Sequence, residues 1–187
     1  STTDRALTSL VGVVALVALV VVLASGVLAA GLAVGSLDAP PPSVTVDAEP
    51  IPAACVGCGP DDQRLRLIHR GGEDLPMAET ELVVVAPGHD PARLVDLPLS
   101  ANCLGDGHVE GPDIFDGSCG RVAGPLTTVG ADIDGTWSAG ETAVVRLRKG
   151  AVRLAPGEEV TVRVVHAPSG HVVAERTVAV GGADRAV

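Results

Sequence analysis

Aromatic residues are almost missing from this chain: one Phe (Phe115), one Trp (Trp137) and no Tyr in 187 residues. Sugar-stacking sites and single-stranded nucleic-acid platforms rely on aromatic faces, so both are disfavoured. Basic charge is also scarce. Thirteen Lys and Arg stand against 23 Asp and Glu, for a net charge of −10, which argues against nucleic acid as a partner. Lysine occurs once, at Lys149, and Asp exceeds Glu. An acidic, lysine-poor surface suits a protein that stays soluble at high salt, as in halophiles. The single Asn, Asn102, is followed by Cys103-Leu104, so no Asn-x-Ser/Thr glycosylation site exists. With so few aromatics, the core has to be built from Val, Leu, Ile and Ala.

What the chain has in excess is one apolar run. From Ala6 to Leu37, 32 residues carry no charged side chain. As a helix the run would be roughly 48 Å long at about 1.5 Å per residue, whereas a bilayer core is about 30 Å thick. The segment is therefore expected to form a long helix that spans a membrane and projects beyond it. It begins near the first residue, so no folded element is expected before it. Arg5 precedes it, and the next basic residue is Arg64, with Asp38, Asp47, Glu49, Asp61 and Asp62 between. Positive charge stays on the cytoplasmic side, which places the remainder of the chain outside. A cleaved secretory signal has an apolar core of about 7–15 residues and a small-x-small cleavage site. This run is about twice that length and contains no Ala-x-Ala, although Ala33-Val34-Gly35 is a weaker small-x-small triplet.

The run begins rich in Val and Leu and turns small, with Gly26, Gly31 and Gly35 among Ala and Ser. Gly31-x-x-x-Gly35 puts two glycines on one helix face, where backbones approach closely. These three glycines are the expected helix-packing positions. Each apolar side chain buried between copies would contribute about 1.5–3 kcal/mol.

Pro40, Pro41 and Pro42 stop such a helix and stiffen an extended exit, so 38–62 reads as a neck and linker. Beyond it, period-2 alternation recurs: Leu65, Leu67 and His69; Ala143, Val145 and Leu147; Val160, Val162 and Val164. Leu82 to Val85 is a short apolar run, and Val172 to Val180 closes the series. Gly71-Gly72, Pro156-Gly157 and Pro168-Ser169-Gly170 supply turns. The expectation is an α+β protein: polar peptide 1–6, hydrophobic helix 7–37, neck 38–62, and an Ig-like β-sandwich of about seven strands over 63–187. Residues 100–135, Gly- and Asp-rich and unpatterned, read as a surface excursion.

Four cysteines stand at Cys55, Cys58, Cys103 and Cys119. In an oxidising exterior an even count suggests two disulfides, with Cys103–Cys119 and Cys55–Cys58 the favoured pairing of three. A four-cysteine zinc site is the alternative, although Cys103 and Cys119 are not a second close pair. The five histidines lack metal-ligand spacing, with His166 and His171 placed to face each other across a hairpin. Asp132-x-Asp134-Gly135, near Asp106, Asp113 and Asp116, resembles a cation loop, but its acids do not follow EF-hand spacing. Gly117-Ser118-Cys119-Gly120 is not a nucleophile elbow. No enzyme, cofactor or resident metal is expected.

Asp4-Arg5-Ala6 followed by Leu7-Thr8-Ser9-Leu10-Val11-Gly12-Val13-Val14 resembles the N-terminus of haloarchaeal type IV pilins. Many of these read Ser-Pro-Val-Ile-Gly where this chain has Ser9-Leu10-Val11-Gly12. The stretches Arg66–Leu75, Trp137–Glu141 and Val164–Gly170 also look like segments of that family, and archaellum subunits share its architecture. The resemblance implies a membrane peptidase that cuts between Ala6 and Leu7, with Arg5 in the leader, and a filament whose core is made of the apolar segments. The implied partners are copies of the chain itself, the membrane before assembly and the pilus assembly machinery. The implied location is a cell-surface filament, with adhesion as a role. The alternative is a non-polymerising, membrane-anchored extracellular binding module.

Overall fold

A computed structural model of the chain describes residues 40–53, 63–129 and 134–181. All of them except Pro40 belong to one compact unit, Pro41–Val187. Strands account for 48% of the structure and helical residues for 6%. The strands are β1 (Val44–Ala48), β2 (Ile51–Pro52), β3 (Arg64–Gly72), β4 (Leu75–Pro76), β5 (Thr80–Val85), β6 (Ala92–Leu94), β7 (Val109–Glu110), β8 (Val122–Ala123), β9 (Thr136–Trp137), β10 (Thr142–Arg146), β11 (Glu159–His166) and β12 (His171–Gly181). The helical segments are three-residue 3-10 turns at Met77–Glu79, Asp106–His108 and Gly124–Leu126.

These observations correct the expected α+β class: the described residues are all-β. The long helix expected over 7–37 lies outside the described residues, and among these no helix is long and apolar enough to cross a membrane.

Two sheets enclose one core. The four-stranded sheet runs β1-β3-β10-β8 and the six-stranded sheet runs β2-β12-β11-β5-β6-β7; β4 and β9 form a separate ribbon. The alternation read from the sequence explains which faces meet. Leu65, Leu67 and His69 of β3, Ala143 and Val145 of β10, and Val160, Val162 and Val164 of β11 are all buried. Their neighbours Arg64, Arg66, Thr161 and Arg163 are more exposed. Burying one face of each sheet is the dominant favourable term, at about 25 cal/mol per Å² of apolar area.

The arrangement departs from the seven-strand Ig-like expectation in two ways. β1 and β2 come from the neck region 38–62, and β2 pairs in parallel with β12, Ile51 opposite Val180. Residues 100–135 also contribute to the interior rather than forming a surface excursion: Ile114, Phe115, Val122 and Leu126 are at most 1% exposed. Close approach enforces glycine at the end of β3. Gly72 has φ +104°, and a Cβ there would lie 2.3 Å from the Ser43 carbonyl oxygen.

Candidate binding cleft at the disulfide-closed loop

Cys103 and Cys119 are joined in a disulfide, the pairing favoured from the sequence. Beside it the Gly120 N–H donates to the Asn102 carbonyl at 2.9 Å. The enclosed segment is then fastened to the chain beyond β10. Phe115 bridges Leu147 antiparallel, the Asp116 N–H donates to the Arg146 carbonyl, and the Arg148 N–H donates to the Ile114 carbonyl, both at 2.8 Å. Covalent closure and backbone pairing thus hold an otherwise glycine-rich loop against the sandwich.

This pairing brings acids onto arginines. Asp116 Oδ2 lies 3.3 Å from Arg146 Nη1 and 3.6 Å from Arg121 Nε, and its Oδ1 accepts the Ser118 N–H at 3.1 Å. Burial alone would raise the pKa of this carboxyl. Hydrogen bonds from Ser118 and the two guanidinium charges outweigh burial and hold it below the usual carboxylate value. Asp113 pairs with Arg148 in a charge-assisted hydrogen bond; their side chains remain 62% and 45% exposed.

Under that pair is a cleft of about 250 Å³. Phe115, Leu104 and Val109 give it apolar walls, glycines including Gly111 give it exposed backbone, and Asp113 and Arg148 stand at its edge. Gly111 has φ +88°, and a Cβ there would come within 2.7 Å of the Pro91 carbonyl oxygen, so the wall is bare by necessity. A recess of mixed polar and apolar lining beside a guanidinium suits a small ligand that carries a carboxylate.

The other candidates separate. Arg5, Ala6 and Leu7, the glycines at 26, 31 and 35, and Cys55 and Cys58 lie outside the described residues, as does Asp132. The Cys103–Cys119 bond uses two of the four thiolates that a four-cysteine zinc site requires. Asp113 and Asp116, grouped from the sequence as cation ligands, are held by arginines instead, and Asp134 accepts the Thr136 N–H at 2.9 Å. Among the described residues no cluster of three His, Cys, Asp or Glu is arranged to hold a metal. His166 and His171 are directly opposite across the β11–β12 hairpin. His166 Nδ1 is 2.8 Å from Ser169 Oγ and its Nε2 is 3.5 Å from Glu79 Oε2, contacts that pin the turn.

Sequence reading missed the cleft because its edge joins Asp113 to Arg148, 35 residues apart. The one local sign is a charge shift: Arg146, Arg148, Lys149 and Arg153 occur without any acid between Glu141 and Glu158. The chain matches no protein-family model and no curated protein.

Proposed function

We propose that this chain is a structural subunit of a type IV pilus-like archaeal surface filament. The observation that carries the proposal is the union of an uncharged 32-residue run, Ala6–Leu37, with an acidic, β-rich unit closed by a disulfide. Disulfides persist in oxidising exteriors, and Asp4-Arg5-Ala6 before the run is similar to the leader end of pilins. In this reading a peptidase cuts between Ala6 and Leu7, residues 7–37 hold copies together by burying apolar surface, and the β unit faces outward, where it serves adhesion. The membrane holds the chain before assembly, and the assembly machinery moves it out.

Intact-mass measurement on material sheared from cell surfaces tests the proposal. A chain that starts at Leu7, recovered in the sheared fraction, is the expected result. An uncut chain found only in the membrane fraction would overturn it in favour of an anchored binding module.

A further inference from the structure

Among the described residues, the charged lining of the cleft is one acid, Asp113, and one base, Arg148. We infer that the cleft binds a free α-amino acid with an apolar side chain. Its carboxylate sits on Arg148, its ammonium on Asp113, and its side chain enters the recess. The inference concerns the β unit alone and stands whether or not copies assemble through residues 7–37.

Four features carry it. First, the lining has both signs and no net charge. A simple carboxylate drawn to Arg148 is repelled by Asp113, and a simple amine meets the reverse. A ligand whose two opposite charges are adjacent is attracted by both. Second, the existing pair leaves valences open. It runs from Arg148 Nη2 to Asp113 Oδ2, and the described residues offer no bond to Arg148 Nε and Nη1 or to Asp113 Oδ1. A guanidinium has five N–H donors and a carboxylate two accepting oxygens, so a zwitterion adds beside the pair without breaking it. Third, the two charges are held in register. The Arg148 N–H donates to the Ile114 carbonyl at 2.8 Å, one residue from Asp113, and the Cys103–Cys119 disulfide closes the loop. A site set before its ligand arrives loses less affinity to ordering. Fourth, the recess is small. About 250 Å³ falls short of the roughly 300–1,000 Å³ of drug-sized ligand pockets. Leu104, Val109 and Phe115 give its wall an apolar part that receives an aliphatic side chain, and bare Gly111 leaves it room.

The test is equilibrium dialysis of the full-length chain in detergent micelles against radiolabelled L-leucine, with 4-methylpentanoate and L-leucinamide as competitors. The first competitor lacks the ammonium and the second the carboxylate. Saturable binding of leucine is expected, with each competitor at least about tenfold weaker, the scale of one lost charge-assisted hydrogen bond. Arg148→Gln is expected to weaken leucine binding at least about tenfold. Asp113→Asn is expected to weaken leucine several-fold yet strengthen 4-methylpentanoate, an inversion that damage to the fold would not produce. Arg163→Gln, which removes an exposed ion pair with Glu175 on the β11–β12 hairpin, is expected to bind as the wild type does. No saturable leucine binding by the wild type, competitors as good as leucine, or equal losses in Arg148→Gln and Arg163→Gln would overturn the inference. None of these results bears on cleavage at Leu7 or on recovery from sheared cell surfaces, so the two proposals fail separately.

Discussion

His69 and Trp137 pack ring against ring in the interior, with centroids 5.8 Å apart and planes inclined by 57°. Both are fully buried. Trp137 Nε1–H donates to the Glu141 carbonyl at 3.2 Å, and the His69 N–H reaches the same oxygen at 3.0 Å, so the turn after β9 is strapped onto β3. His69 Nε2 lies 3.1 Å from the Glu73 carbonyl, which can only accept. Nε2 therefore donates there, and Nδ1 is buried with no hydrogen-bond partner. Trp137→Ala is expected to cost about 3–5 kcal/mol through the cavity it leaves. His69→Phe keeps an aromatic ring and removes the unpartnered nitrogen but also the hydrogen bond to the Glu73 carbonyl, so its cost should be about 1–2 kcal/mol, below that of Trp137→Ala. Urea unfolding of the two variants measures the contrast.

Gln63 should prove as costly to lose as a large apolar residue. It is fully buried. Its Nε2 donates to the Val152 carbonyl at 3.0 Å and more weakly to the Leu147 carbonyl at 3.4 Å, and its Oε1 accepts the Leu154 N–H at 2.9 Å. Gln63→Leu matches the side chain in bulk but leaves the Val152 carbonyl and the Leu154 N–H without this partner. At about 1–3 kcal/mol for each orphaned group, a loss of about 3 kcal/mol is expected in denaturant titration.

Acid should weaken the loop through Asp116. Its folded pKa is depressed, so the unfolded chain binds protons more readily. The stabilisation is complete above the unfolded value of about 3.9 and is lost as pH falls through the lower folded value. Thermal melts between about pH 6 and pH 2 should show a steeper acid limb for the wild type than for Asp116→Asn, which cannot titrate. Parallel curves would show that Arg146, Arg121 and Ser118 do not act on this carboxyl as the geometry indicates.

Replacement of Cys103 and Cys119 by Ser together should lower stability by about 3 kcal/mol, the loop-closure value for a loop of this size. Because Phe115 and Ile114 lie within that loop and are buried, protease should also cut near Gly105 or Gly117 in the variant before the sandwich unfolds. Limited proteolysis with mass readout checks this.

The parts legible in the sequence are those with a simple period. β3, β10 and β11 announce their inward faces through Leu65 and Leu67, Ala143 and Val145, and Val160, Val162 and Val164, because a half-buried strand alternates by geometry. Strands of two residues, such as β4, β7, β8 and β9, are too short to show any period, so Val122 and Trp137 gave no sign of their burial. Gln63 was equally silent, since its partners at 152 and 154 are about 90 residues away. At the cleft, the acids at 113 and 116 suggested a cation because their arginine partners were remote in the chain. Local composition shows which charges exist, and the backbone pairing of Phe115 with Leu147 decides which of them meet.

The parallel pairing of β2 with β12 has a consequence for timing. Within the six-stranded sheet, β12 lies between β2 and β11, so the last of the described strands separates one of the earliest from the remainder. A chain delivered from its N-terminal end onward cannot complete that sheet until Gly181 has emerged. Until then β2 has no partner strand in that sheet, and Val160 at the start of β11 lacks Val178, its neighbour across the ladder. Maturation of this unit is therefore a late event, triggered when the final strand arrives. A truncation before Val178 should leave an unfinished sheet rather than a slightly smaller domain.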